Sequence, residues 1–457
     1  MQTITSLKKL KISLSGLIIF DDILQDEKIN AYRMLLDTLT APKLDCEGIY
    51  KQYQSFYKSI LEVNWIQYLV NLLFYSQNEF TRQAVAKGIV GINPVILENV
   101  SRDLGIIQDL AQVTSQDIVV LATQRFEREM AKDEREIFLD GLWPGRWPLW
   151  EENFPPNVSK CLESSIKSAI EWLELMKDSF GTKFISEDRW ENNVSLLSDY
   201  YQKTGCGIFA QYAAFKVSER GEGLEGIGNS DPIRINNLIC QEREQAVVLR
   251  NTESFLQGYP ANNIILYGNR GTGKSSLVKA LLNEYVSRGL RLVQLKKNQI
   301  SIFPKLVEEL SEIPLKFIVF IDDLSFNDVE EDYKNLKSLL EGGVESRPAN
   351  VLVYATSNRK HLVRESFADR LGDDVHAHDS VEEKLSLADR FGITVTFLSP
   401  DQETYLKMVE GIATQSGLTM DKDELRQRAL KWVIMHNGRS GRTARQFIDY
   451  LLGESLF

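Results

Sequence analysis

The sequence predicts an α/β protein: a parallel five-stranded sheet covered by helices, a small helical lid after it, and a mainly α-helical domain before it. Three observations carry this expectation. From about residue 25 to 205 the apolar residues recur at three- and four-residue steps, as in Ile118, Leu121, Ala122 and Phe126, which is the helical period. Beyond residue 230, short β-branched runs alternate with helical segments, the alternation that builds a parallel sheet. Directly after the first of these runs stands a glycine-rich loop ending in Gly-Lys-Ser, which opens the next helical stretch.

Taken in order, the N-terminal domain spans residues 1–215. Thr114, with Asp117 three residues on, forms a capping pattern ahead of the Ile118 stripe. Helices stop between Trp143 and Pro156, because Pro144, Gly145, Pro148, Pro155 and Pro156 do not fit helix interiors. Trp143, Trp147 and Trp150 share that segment and either seal it against helices or form a partner surface. Residues 216–230, with Gly221, Gly223, Gly226 and Gly228 among charges, have linker composition. The α/β domain follows over 231–399, with strands expected at Asn263–Tyr267, Leu290–Leu295, Phe317–Ile321, Val351–Ala355 and Ile393–Phe397. Residues 400–457 return to helical periodicity alone and make the lid.

Composition narrows the function classes. With 43% hydrophobic and 26% charged residues the chain is that of an ordinary folded protein. Fifty-three basic against sixty-four acidic residues leave a net charge of −11, which opposes unspecific attraction to nucleic acid or anionic lipid. The four cysteines, Cys46, Cys161, Cys206 and Cys240, are too sparse for a disulfide framework and read as buried thiols in a reducing compartment. The most apolar run, Ile60–Tyr75, is shorter than the ~20 residues a bilayer requires and contains Glu62, Asn64, Gln67 and Asn71. A cytoplasmic protein without a membrane span is expected.

The loop Gly268-Asn269-Arg270-Gly271-Thr272-Gly273-Lys274-Ser275, followed by Ser276, matches G-x-x-x-x-G-K-[ST] in full. Glycines let successive amides face phosphates, and the following helix N-terminus favours negative charge. Lys274 is expected to reach the β and γ phosphates of a nucleotide, and Ser275 to ligate Mg²⁺. Asp322 and Asp323, at the end of the apolar run Phe317–Ile321, supply the acids such a loop needs: Asp322 for the magnesium shell, Asp323 to orient or deprotonate the attacking water. Thr356-Ser357-Asn358 ends the fourth strand between these motifs, where Asn358 would hold the water. No Asn/Thr-Lys-x-Asp guanine motif follows Gly273, and no Leu-Ser-Gly-Gly-Gln stretch separates the two phosphate-binding motifs.

Tyr354-Ala-Thr-Ser-Asn358 resembles the sensor-1 element of AAA+ ATPases. More closely, Asn251–Phe255, Ala261–Asn263, the phosphate loop, Asp322–Phe326, Leu340–Gly343, Glu383–Ser386 and Ser440–Arg442 resemble one AAA+ family, a predicted ATP-binding domain of unknown function, over roughly residues 231–452. The resemblance implies ATP and Mg²⁺ as ligands and an arginine before the fifth strand that reaches a neighbouring subunit's γ-phosphate. Arg390 matches that location, with Arg370 as rival. It also implies a lid arginine, Arg442 or else Arg445, and a segment Asp231–Cys240 folded over adenine. Most AAA+ proteins carry Glu where this chain has Asp323, so either the water is held differently or hydrolysis is slow. Gln299–Phe303 stands near the place of a pore motif, though an ordinary strand-to-helix connection explains it as well. His376 and His378 lie beside Asp373, Asp374 and Asp379, residue types that could ligate a metal, in what reads instead as a solvated acidic loop.

The expected function is ATP hydrolysis by an oligomeric AAA+ protein that drives or gates change in a protein partner, unidentified, engaged through the N-terminal helical domain. The alternative is an ATP-gated binding module with negligible turnover.

Overall fold

The computed structural model describes residues 3–130, 135, 142–153, 168–221, 223–324, 348–358, 390–436 and 438–454. The chain divides into two compact units, Met1–Ser164 with Leu173–Gln211 and Ser165–Trp172 with Tyr212–Phe457.

The first unit is helical, as its periodicity requires. Helix Ser115–Glu129 begins with the expected box, in which Thr114 Oγ1 accepts the Asp117 N–H and Asp117 Oδ2 accepts the Thr114 N–H. Its core is aromatic: Tyr32 stacks on Trp65 at 5.6 Å, and Phe56 meets Trp65 and Trp150 edge-on at 5.1 and 5.3 Å. Trp147 and Trp150 are buried, so this pair seals the proline-rich segment against the helices. Fully buried Asp103 accepts the N–H groups of Ile18, Ile19 and Phe20 on Oδ2, at 2.9, 2.7 and 3.2 Å. Asp103→Ala strands three donors and is expected to lower unfolding free energy by about 3 kcal/mol, read by chemical denaturation. No loss of stability would show that water replaces the carboxylate. Among the described residues, no helix is long and apolar enough to cross a membrane.

In the second unit the five expected strands form a parallel sheet, and two more extend it. In chain order they are β1 (Ala214–Val217), β2 (Leu224–Gly226), β3 (Ile264–Gly268), β4 (Leu290–Leu295), β5 (Lys316–Ile321), β6 (Val351–Ser357) and β7 (Ile393–Phe397). The order across the sheet is β2-β1-β4-β5-β6-β3-β7, with β2 alone antiparallel to its neighbour. Among the described residues seven strands therefore stand where five were expected, and residues 216–230 are not all linker: a hairpin folds there onto β4. Gln299 fastens it, donating from Nε2 to Val217 O and Ser218 O at 3.4 and 3.0 Å. Ile300 and Phe303 are buried, so that segment packs as a strand-to-helix connection. β6 is buried along its whole length, as expected of a strand covered on both faces.

Asn251 and Asn262 exchange hydrogen bonds, Nδ2 to O at 2.8 Å and N to Oδ1 at 3.0 Å, and Asn263 Oδ1 accepts Val353 N–H at 2.8 Å. Those motif residues hold the entry to β3. Helices Gln402–Gln415, Lys422–Met435 and Gly441–Glu454 form the lid around Tyr405, Val409, Ala429, Phe447 and Ile448. His436 stacks on Trp432 at 3.9 Å, a packing role. Of the described cysteines, Cys206 is buried whereas Cys46 and Cys240 are half-buried, which corrects the expectation of buried thiols; Cys161 lies outside the described residues. The same holds for Leu340–Gly343, Arg370, His376, His378 and Glu383–Ser386.

Candidate functional site

The strand order brings the site together. β3 pairs with β6, Tyr267 opposite Ser357, so the loop after Gly268 leaves the sheet beside Asn358. β6 pairs on its other side with β5, Ala355 opposite Ile321, so Thr356 and Asp322 emerge as neighbours.

Backbone geometry shapes the loop. Gly268 has φ +144°, and a Cβ there would fall 2.1 Å from Phe397 O on β7. Gly273, at φ +95°, carries Gln241 against it, and a Cβ would meet the Gln241 amide nitrogen at 2.5 Å. Helix Lys274–Tyr285 then starts directly, its N-terminus open to the cleft.

Lys274 Nζ donates to Gly268 O at 2.6 Å, Asn269 O at 2.8 Å and Asn358 Oδ1 at 3.1 Å. Burial lowers its pKa from the ordinary lysine value, against the opposing pull of Asp322 and Asp323. An arriving polyphosphate would favour the charged form. Ser275 Oγ donates to Asp322 Oδ1 at 2.6 Å, and Asn358 Nδ2 donates to Asp323 Oδ1 at 2.6 Å. Arg270 lies 3.8 Å from Asp323 Oδ2, both side chains mostly exposed, a pairing of little energetic weight. A hydroxyl and a carboxylate in contact are a donor set that fits a hard, oxygen-seeking cation such as Mg²⁺.

A cavity of about 480 Å³ opens over this network. Gly271–Ser276, Asp322, Asp323 and Asn358 line its polar end, and Ile233, Leu238, Ile239, Met408 and Ile412 line an apolar end. The segment expected over adenine thus meets the lid there. Arg442 and Arg445 both reach the wall, and Arg442 N–H donates to Gly271 O at 3.3 Å. Asn269 turns to Ser399 Oγ instead, at 2.6 Å.

Arg390 is not brought into this cavity. It precedes Ile393, which pairs with Ile264 at the start of β3, whereas the loop leaves β3 at its far end, Gly268. Strand lengths of about 3.3 Å per residue put the two roughly 15 Å apart in height.

Sequence reasoning missed Gln241, which donates from Nε2 to Thr272 O at 2.8 Å and lines the cleft. It gave Thr356 no separate role, although this side chain bonds both aspartates. Neither had a local signal; both act through partners distant in the chain.

Strand order, loop and helical lid define an AAA+-type P-loop nucleotide-binding fold. Within that class, the chain belongs to the family described as "Protein of unknown function (DUF815)", whose model matches residues 210–455. No curated protein matches it significantly. One similar solved structure is a proline-to-glycine mutant of Thermotoga maritima RuvB, with 14% identity and a TM-score of 0.34. That similarity covers 48% of this chain and 64% of the RuvB chain, so less than two thirds of that structure is spanned.

Proposed function

We propose that this protein binds ATP with Mg²⁺ and hydrolyses it as a homo-oligomer, using the cycle to drive or gate change in a protein partner held by the N-terminal helical unit. One observation carries the reading: the chain Lys274–Asn358–Asp323 and the pair Ser275–Asp322, bridged by Thr356, form one hydrogen-bonded set at a cavity with a polar and an apolar end. Its size and two-ended character suit a nucleotide, phosphates on the loop amides and base among Ile233, Ile239 and Met408.

Ser275 and Asp322 would hold Mg²⁺, which supplies neutralising charge on the β and γ phosphates. Lys274 binds and orients the same phosphates. Asp323, aided by Asn358, orients the attacking water and accepts its proton. Arg442 or Arg445 approaches the phosphates from the lid, and Arg390 serves the site of a neighbouring copy.

A second reading is supported by one contact. Asp323 Oδ1 is occupied by the Asn358 amide and its side chain is a methylene shorter than glutamate, both of which favour slow turnover and an ATP-gated binding module. Phosphate release measured against protein concentration separates the two. Specific activity rising on assembly supports the oligomeric ATPase, and a flat, negligible rate supports the gate. Asp323→Asn is expected to keep ATP and Mg²⁺ bound while lowering turnover by on the order of 10²-fold. Unchanged turnover would remove Asp323 from the base role.

A further inference from the structure

The strongest unassigned contacts of the site converge on Thr356. It stands at the end of β6, one residue beyond the Ile321–Ala355 pair, and is 2% exposed. Its hydroxyl donates to Asp322 Oδ1 at 2.5 Å and accepts the Asp323 N–H at 2.9 Å. Its carbonyl accepts the Leu324 N–H at 2.7 Å. One residue thus meets three consecutive residues of the acidic turn.

Two physical consequences follow from those bonds. Asp322 Oδ1 receives hydroxyl donors from Ser275 and Thr356 at once, which fixes the carboxylate plane and directs Oδ2 elsewhere. Asp323 lies at φ +54°, a left-handed conformation that is strained for a non-glycine residue and persists where its surroundings hold it. The bonds to Thr356 from the N–H of Asp323 and of Leu324 bracket that strained residue. A β-branched threonine, stiff about its first side-chain torsion and buried in a central strand, is a rigid post for this purpose.

We propose that Thr356 is a positioning residue of the ATPase centre. It holds Asp322 in the orientation that serves Mg²⁺ and keeps the backbone of Asp323 turned so that its short carboxylate meets Asn358. This rests on the ATP and Mg²⁺ reading above. Thr356 lines the same cavity, and its hydroxyl acts through Asp322 and the Asp323 backbone.

The test compares Thr356→Val, which keeps the shape and removes the hydroxyl, with Thr356→Ser, which keeps the hydroxyl. Fluorescent ATP is titrated into full-length wild type and both variants, with EDTA and across a Mg²⁺ series, and turnover is followed over the same series. For Thr356→Val the expected result is unchanged affinity in EDTA, a roughly tenfold higher Mg²⁺ requirement for tight binding, and turnover reduced by about 10-fold or more even at saturating Mg²⁺. Thr356→Ser should fall within about threefold of wild type in both. A Mg²⁺ dependence unaltered in Thr356→Val overturns the proposal, as does equal damage in Thr356→Ser, which would mark packing by the methyl group as the true role. Should Thr356→Val fail to fold, the serine variant decides: wild-type Mg²⁺ dependence supports the hydroxyl, and a shifted one refutes it. Wild type that binds no ATP under either condition sinks the underlying ATP reading, a result distinct from wild type that binds while Thr356→Val behaves identically.

Discussion

Lys274→Ala is expected to abolish detectable ATP binding. Among the described residues, no other cation stands at the centre of the loop, since Arg270 lies mostly in solvent and Arg442 and Arg445 approach from the lid. Lys274 Nζ sits against Gly268 O, Asn269 O and Asn358 Oδ1, at the junction of loop and sensor strand, where the β and γ phosphates would lie. The substitution also removes the donor for three acceptors, so Lys274→Met, which restores the volume, is the companion variant. Both should lose binding in calorimetry while keeping a cooperative thermal transition. Undiminished affinity in either would refute the site.

Arg390→Ala should spare nucleotide binding and remove most hydrolysis, a loss of ~10³ in rate being typical of an arginine that stabilises charge on a transferring phosphoryl group. On the proposed oligomeric reading this is a statement about two copies of the chain. Arg390 lies at the end of the sheet where β3 and β7 begin, and Lys274 follows the end where β3 finishes. One chain therefore does not bring both to a single γ-phosphate. Mixing Arg390→Ala with Lys274→Ala subunits should restore some hydrolysis, at interfaces that pair an intact arginine with an intact loop. Neither variant alone should turn over. Full activity in Arg390→Ala, or no recovery in co-assembled mixtures, would mean that Arg390 acts within its own chain or only packs.

Much of the second unit was legible because its signals are local. β4 and β7 occupy the expected ranges, Leu290–Leu295 and Ile393–Phe397: β4 is buried except at Gln294, and β7 alternates exposed Thr394 and Thr396 with buried Val395 and Phe397, patterns that short stretches of sequence display. The phosphate loop was legible because its chemistry demands particular residue types at fixed spacing. The β1–β2 hairpin was not. Four- and three-residue strands among glycines carry too little pattern, and their pairing depends on an edge offered by β4 and on Gln299, more than 70 residues away. The tryptophans could be read either as a seal or as a surface until Tyr53 and Phe56 were found against Trp147 and Trp150.

By itself the sequence determined the kind of chemistry this protein can host: a loop of glycines ending in lysine and serine, two aspartates closing an apolar run, and an asparagine closing another. Those are properties of residue type and short spacing, and they survive without knowledge of the fold. Only the tertiary structure decided which of these groups meet. β6, far along the chain from β3, inserts between β3 and β5, and that placement sets Asn358 against Lys274 and Thr356 against Asp322 and Asp323. It also leaves Arg390 at the opposite end of the sheet. Strand order is a non-local choice, settled by which buried faces pack and which backbone edges pair, and a hydrogen bond reaching barely 3 Å cannot be inferred until that choice is made.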